Sequence, residues 1–163
     1  MFDDFTGFSS GDCITGEVAM PREASYNSTV GFYRVLDVAW SVLAHSIFGT
    51  ILSPGQAGYA AAAVANRVSS LDGYKIGNRS SSVVSLDVKC ETGMLVPYAL
   101  VNGSQAYFSY VAANPDGINH FALIGNNRLG FEDTLGGGDR DFDDLIIEIA
   151  QLSAFPSSHF RFH

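Results

Sequence analysis

Six carboxylates crowd the stretch FEDTLGGGDRDFDDLII, Phe131 to Ile147: Glu132, Asp133, Asp139, Asp141, Asp143 and Asp144. Arg140 alone offsets them, and three adjacent glycines, Gly136 to Gly138, separate the two acidic clusters. Carboxylates confined to a short bent segment repel one another unless a cation sits among them. Oxygen ligands on a flexible loop suit a hard cation of the calcium type, which accepts a variable number of oxygens in loose geometry. The chemistry this pattern points to is Ca2+ binding, with all six acids as candidate ligands.

Other chemistries fit less well. Asp139, Asp141 and Asp143 alternate as in the first half of an EF-hand loop, but Asp144 stands where that loop needs glycine, and no helix pair flanks it. Glycoside hydrolysis needs two carboxyls facing each other across a cleft. Neighbouring acids on one turn do not supply that geometry. The run Ser80-Ser81-Ser82 lacks the glycines of a nucleophile elbow. No enzymatic activity and no catalytic residue are expected. Cys13 and Cys90 make no CxxC pair, and His45, His120, His159 and His163 are scattered, which argues against zinc. The two cysteines are either one disulfide or two buried thiols. His120 lies among apolar residues and reads as a satisfied core or edge histidine. Tyr107, Phe108 and Tyr110 read as strand residues filling a core, with a sugar-stacking platform as the alternative.

The elements that must position the acids read as strands. The chain has 163 residues, enough for one domain with a real core. Hydrophobic residues make up 47% and charged residues only 16%, against about 25% in a typical globular chain. The net charge of −8 excludes a phosphate-neutralising stripe and hence nucleic acid. The segment MFDDFTGFSSGD lacks the basic and apolar regions of a signal peptide. No run of about 18 apolar residues is present, so no membrane insertion is expected.

Residues 1–25 read as an N-terminal arm or strand (Cys13 to Ala19), residues 26–152 as the main domain and 153–163 as a tail rich in phenylalanine. Thr29 to Leu36 is β-branched and aromatic, a good strand. Val38 to Ile51 can form a hairpin, with Trp40, Val42 and Leu43 on one arm and Thr50 to Leu52 on the other. Ser53-Pro54-Gly55-Gln56 predicts a helix start, with Ser53 as N-cap and Gln56 reaching back as a capping box. Ala57, Ala61, Val64 and Val68 then form its apolar face. Val84 to Cys90 alternates strictly. Met94 to Val101 is apolar, and Pro97 marks it as an edge strand. Ala106 to Ala112, Ile118 to Ile124, Arg128 to Glu132 and Asp144 to Leu152 complete the strands, with Asn114-Pro115-Asp116-Gly117 as a turn. The expected fold is all-β: an antiparallel β-sandwich, jelly-roll-like, with one short α-helix.

FEDTLGGGDRDFDDLII resembles the C-terminal signature of the DUF4114 domain, a module of large secreted bacterial and cyanobacterial surface proteins. NSTVGFYRVLD resembles its opening strand and LSPGQAGYAAAAVANRV its helix. MLVPYALVNG and AYFSYVAANPDGINHFALIGNNRLG resemble its middle strands. The resemblance spans roughly Tyr26 to Ile149. It implies a β-sandwich in a calcium-dependent extracellular or cell-surface setting. Matched to the pattern, Glu132 and Asp133 are its ED pair, Asp139 and Asp141 its D-x-D pair, and Asp144 its last acid. Asp143 stands where asparagine is also common. The chain departs from the pattern at Val38 to Gly49, which is unusually apolar, so Trp40 or Phe48 can be a contact surface. Two functions follow as expectations. One is a calcium-binding adhesin or lectin-like module that holds a surface glycan or protein. The other is a structural subunit assembling with copies of itself into an extracellular filament, sheath or layer, with Trp40, Phe48, Phe160 and Phe162 in the contacts.

Overall fold

Alternating apolar stretches of the chain become strands. The computed structural model describes residues 13–21, 26–36, 39, 41–43, 49–69, 72–75, 81–88, 94–125, 128–149 and 153–155. In chain order the strands are β1 (Cys13–Pro21), β2 (Ser28–Val35), β3 (Val42–Leu43), β4 (Ile51–Leu52), β5 (Tyr74–Lys75), β6 (Ser81–Val88), β7 (Met94–Val101), β8 (Gln105–Phe108), β9 (Phe121–Gly125), β10 (Arg128–Phe131), β11 (Leu145–Ile149) and β12 (Ser153–Phe155). Among the described residues one α-helix, α1 (Tyr59–Ala65), follows β4, and a 3-10 turn, Val111–Ala113, follows β8.

The strands form two antiparallel sheets and a two-residue hairpin. The larger sheet runs β12-β1-β11-β10-β9, with β6 also paired to β1. The smaller runs β5-β2-β7-β8. This is the all-β, sandwich-like architecture expected from the alternation. β1, in the stretch read as an arm or strand, pairs with β6, β11 and β12, so the first and last described strands join one sheet. Val42↔Leu52 and Leu43↔Ile51 close the expected hairpin. Trp40, Phe48, Cys90, Phe160 and Phe162 lie outside the described residues. No helix among the described residues is long and apolar enough to cross a membrane.

The smaller sheet is buried on both faces. Tyr33, Val35, Val96, Tyr98 and Phe108 pack against Val42 of β3 and Tyr59, Ala62 and Ala63 of α1. Strand alternation puts Val30, Phe32, Ala99, Val101 and Tyr107 on the opposite face, all buried. Tyr107 and Phe131 of the larger sheet lie 6.3 Å apart between ring centres, so this face meets the larger sheet.

Three local expectations are corrected. The helix begins at Tyr59, not at Ser53 or Pro54, and its N-cap is Gly58 at φ 89°. Gln56 does reach back, accepting the Ser53 N–H at 2.6 Å, but its own N–H donates to the Ser53 carbonyl, which closes a turn ahead of the helix. The buried face is Tyr59, Ala62 and Ala63, while Ala57 and Ala61 are exposed. Tyr59 decides this: its ring packs on Phe108 and its hydroxyl meets that of Tyr33 at 3.1 Å, an anchor no alanine supplies. Ser53→Ala is therefore expected to leave stability within about 0.5 kcal/mol, measurable by denaturant melts, rather than to remove a cap.

Strand β7 is interior, between β2 and β8, not an edge. Proline is accommodated because β8 pairs with β7 only from Tyr98 to Val101, so Pro97 sits one residue beyond that ladder. The stretch Ala106 to Ala112 is strand only to Phe108. There Asn114 takes over: its Oδ1 accepts the Phe108 N–H, and its Nδ2 donates to the carbonyls of Phe108 and Ile118. These three bonds make the turn that delivers the chain to β9.

Candidate metal centre

β10 and β11 carry the acidic loop between them, in register from Arg128↔Glu148 to Phe131↔Leu145. Beyond Phe131, the Glu132 N–H donates to the His120 carbonyl at 2.9 Å, and the Asp133 N–H donates to Asp144 Oδ2 at 2.9 Å. Thr134 to Gly137 closes a turn through the Gly137 N–H and the Thr134 carbonyl. Gly136, Gly137 and Gly138 all have positive φ, which explains the triple glycine. On the return, Arg140 (φ 62°) and Phe142 (φ 58°) are also left-handed. For a bulky side chain this is a strained conformation, held only by its surroundings.

The returning loop lies across β10 at Gly130. A Cβ there would collide with the Phe142 carbonyl oxygen and stand 2.8 Å from the Phe142 Cβ. Gly130→Ala is expected to push the loop off β10 at a cost of about 1–3 kcal/mol. A melting temperature unchanged by this substitution would refute the close approach.

The loop converges its acids unequally. Glu132, Asp139 and Asp141 each offer a carboxylate oxygen within 4.8 Å of the others. Oxygens sharing a calcium at 2.3–2.6 Å can be up to about 5 Å apart, so this spacing fits the ion as it stands. Asp144 stands close enough for its carboxyl to act on that of Glu132. Asp133 and Asp143 are not in the triad. Asp133 is buried and accepts the Thr134 hydroxyl at 3.5 Å, and the Asp143 N–H donates to Asp141 Oδ1 at 3.3 Å.

Glu132 differs from its partners in burial. It is 2% exposed, whereas Asp139 and Asp141 face solvent. Its Oε2 is buried without a hydrogen-bond partner. Burial, then the hydrogen bond with Asp144, then the charges of Asp144, Asp139 and Asp141 push its carboxyl up to about 8. Among the described residues, no lysine or arginine pairs with Glu132, Asp139, Asp141 or Asp144. A buried carboxylate normally has a cation or donors around it. A hard cation supplies what this group lacks, so the residues present fit calcium.

Two further residues frame the loop. His120 is fully buried and stacked on Tyr107 at 3.8 Å. Its Nδ1 donates to the Glu132 carbonyl at 2.7 Å, and its Nε2 meets Asp116 Oδ2 at 3.0 Å. The same Oδ2 accepts the Gly136 N–H at 2.9 Å. Burial alone would raise the Asp116 carboxyl, but the Gly136 N–H, His120 and the Ile118 N–H outweigh it and hold it below the usual carboxylate range. In sequence Asp116 is simply the third residue of a turn, and nothing in its neighbourhood marks a partner 20 residues away.

Residues 76–151 match the family model DUF4114, described as a domain of unknown function. This stretch of the chain, a little under half of it, is similar to the DUF4114 family. The match includes the acidic loop, Asp116 and His120, while the segments before residue 76 that resemble the family lie outside it. No curated protein and no solved structure matches the chain. The family description names no activity, so a functional reading rests on the site itself.

Proposed function

We propose that this chain is a calcium-binding module of the adhesin or lectin-like type, acting outside the cell or at its surface. The observation that carries the calcium reading is Glu132: buried, with an unpartnered Oε2, and placed within 4.8 Å of the Asp139 and Asp141 carboxylates. Calcium would be held by Glu132, Asp139 and Asp141, with backbone carbonyls and water filling its shell. It would neutralise the loop and tie β10 to β11. Exposed rings at Tyr26 and Tyr110 are the kind of amphipathic surface that meets a glycan or a protein face.

Titration calorimetry with calcium chloride tests the reading. One site per chain is expected, with magnesium weaker because it demands a stricter octahedron. No heat with calcium would leave the loop as a solvated acidic turn. A second reading, self-assembly into a filament, sheath or layer, is favoured by β9. Among the described strands it lies at a sheet edge, carries no charge, and exposes Leu123 and Ile124. Bare edges of this kind pair with other chains. Size-exclusion chromatography with and without calcium separates the readings: a concentration-dependent shift to larger species supports assembly, and a monomer that binds a glycan array supports adhesion.

A further inference from the structure

Asp116 lies outside the acidic triad, yet it determines where both ends of the first loop segment sit. Its Oδ2 accepts the Gly136 N–H and meets His120 Nε2. His120 in turn holds the other end, Glu132, through two bonds: Nδ1 to the Glu132 carbonyl and the Glu132 N–H to the His120 carbonyl. Residues 132 and 136 are thus fastened to one short segment, 116–120. That segment is fastened to β8 by the three bonds of Asn114. Ile118 closes the contact, its Cγ2 standing 3.1 Å from where a Cβ on Gly137 would be. The glycine turn is therefore held in place by groups that do not bind the ion.

We propose that Asp116 is a positioning residue that sets the calcium affinity of the loop without being a ligand. This rests on the calcium reading above. Asp139 and Asp141 repel each other, and repel Glu132 once it ionises, and three consecutive glycines give the loop freedom to relieve that repulsion by swinging Asp139 and Asp141 away from Glu132. The Asp116 bond to Gly136 removes that escape at the start of the glycine run. The ion then meets a preformed site and orders less chain on binding, which tightens affinity. Partners outside a metal's own ligands commonly change affinity about 10–100-fold.

The test compares wild type with D116N, D116A and E132Q by calcium chloride calorimetry, at a temperature where near-UV circular dichroism shows each variant folded. D116N, which keeps the volume but removes the charge and so weakens the contacts made at Oδ2, is expected to weaken binding about tenfold with the stoichiometry unchanged. D116A should weaken it further, and E132Q should abolish it. Amide hydrogen exchange supplies a readout that general destabilisation would not mimic. In calcium-free D116N the Gly136 amide should exchange faster while the β10 amides keep their protection. Equal calcium affinity in wild type and folded D116N overturns the proposal. So does uniform loss of protection across β10 and the loop, which would make Asp116 merely structural. If D116A does not fold, D116N decides. Wild type that binds no calcium overturns the calcium reading itself, an outcome distinct from a wild type that binds and a D116N that binds equally well.

Discussion

Calcium at a hundredfold excess over its dissociation constant is expected to raise the melting temperature of the wild-type domain by roughly 5–10 °C, and Glu132→Gln to erase that response. The first figure follows from mass action. A ligand at that excess adds about 2.7 kcal/mol to the folded state if it binds only there. For a chain of this size each kcal/mol moves the midpoint by about 2–4 °C. The second follows from geometry. Glu132 is the buried corner of the triad, and the amide of glutamine brings a weaker oxygen and no charge. Asp141 is exposed, and Asp141→Asn should weaken binding without abolishing it. Melts in calcium, magnesium and a chelator check all three. A wild type indifferent to calcium, or a Glu132→Gln variant as responsive as wild type, would refute the assignment.

The calcium-free domain is expected to lose stability as pH rises from about 4.5 to about 8, the reverse of what most carboxylates impose. In the unfolded chain Glu132 releases its proton near its ordinary value of 4.5, whereas in the fold it keeps it to about 8. Between those values the folded state binds more protons, so unfolding free energy falls with rising pH. The stabilisation is complete below 4.5 and gone above about 8. Asp116 acts in the opposite sense at the acid end. Its carboxyl is held below 3.8, so the stability it adds is present above that value and is lost as pH falls through its folded value. Denaturant melts in chelator across pH 5 to 9 measure the Glu132 contribution, and Glu132→Gln should flatten the slope. A wild-type slope that is flat or rises with pH would refute it. Calcium favours the ionised carboxylate, so binding below pH 8 should release protons and tighten as pH rises. Calorimetry in buffers of different ionisation heat reads that release.

Much of this architecture is legible in the residue order. Period-two alternation marks the strands, because one face of each must be buried and the next residue points the other way. The acidic loop is legible too, as six carboxylates around three glycines that mark a candidate cation site. Local chemistry misleads where a long-range contact overrides it. Ser53-Pro54-Gly55-Gln56 forms its backward hydrogen bond, but the helix waits for Tyr59, whose ring has a slot beside Phe108 and Tyr33. Pro97 suggests an edge because residue order does not reveal that β8 stops one pair short of it.

The candidate ligand set is the sharpest case. The chain names six acids by composition alone. Only the fold sorts them, because distance along the chain says nothing about which carboxylates converge once the loop bends back over Gly130. It buries Glu132, brings Asp139 and Asp141 to it, and turns the Asp143 N–H onto Asp141. Asp116 and His120 enter the frame for the same reason. Their hydrogen bonds run to residues 12 to 20 positions away, and the pairing of β9 with β10, not any local spacing, puts them within reach.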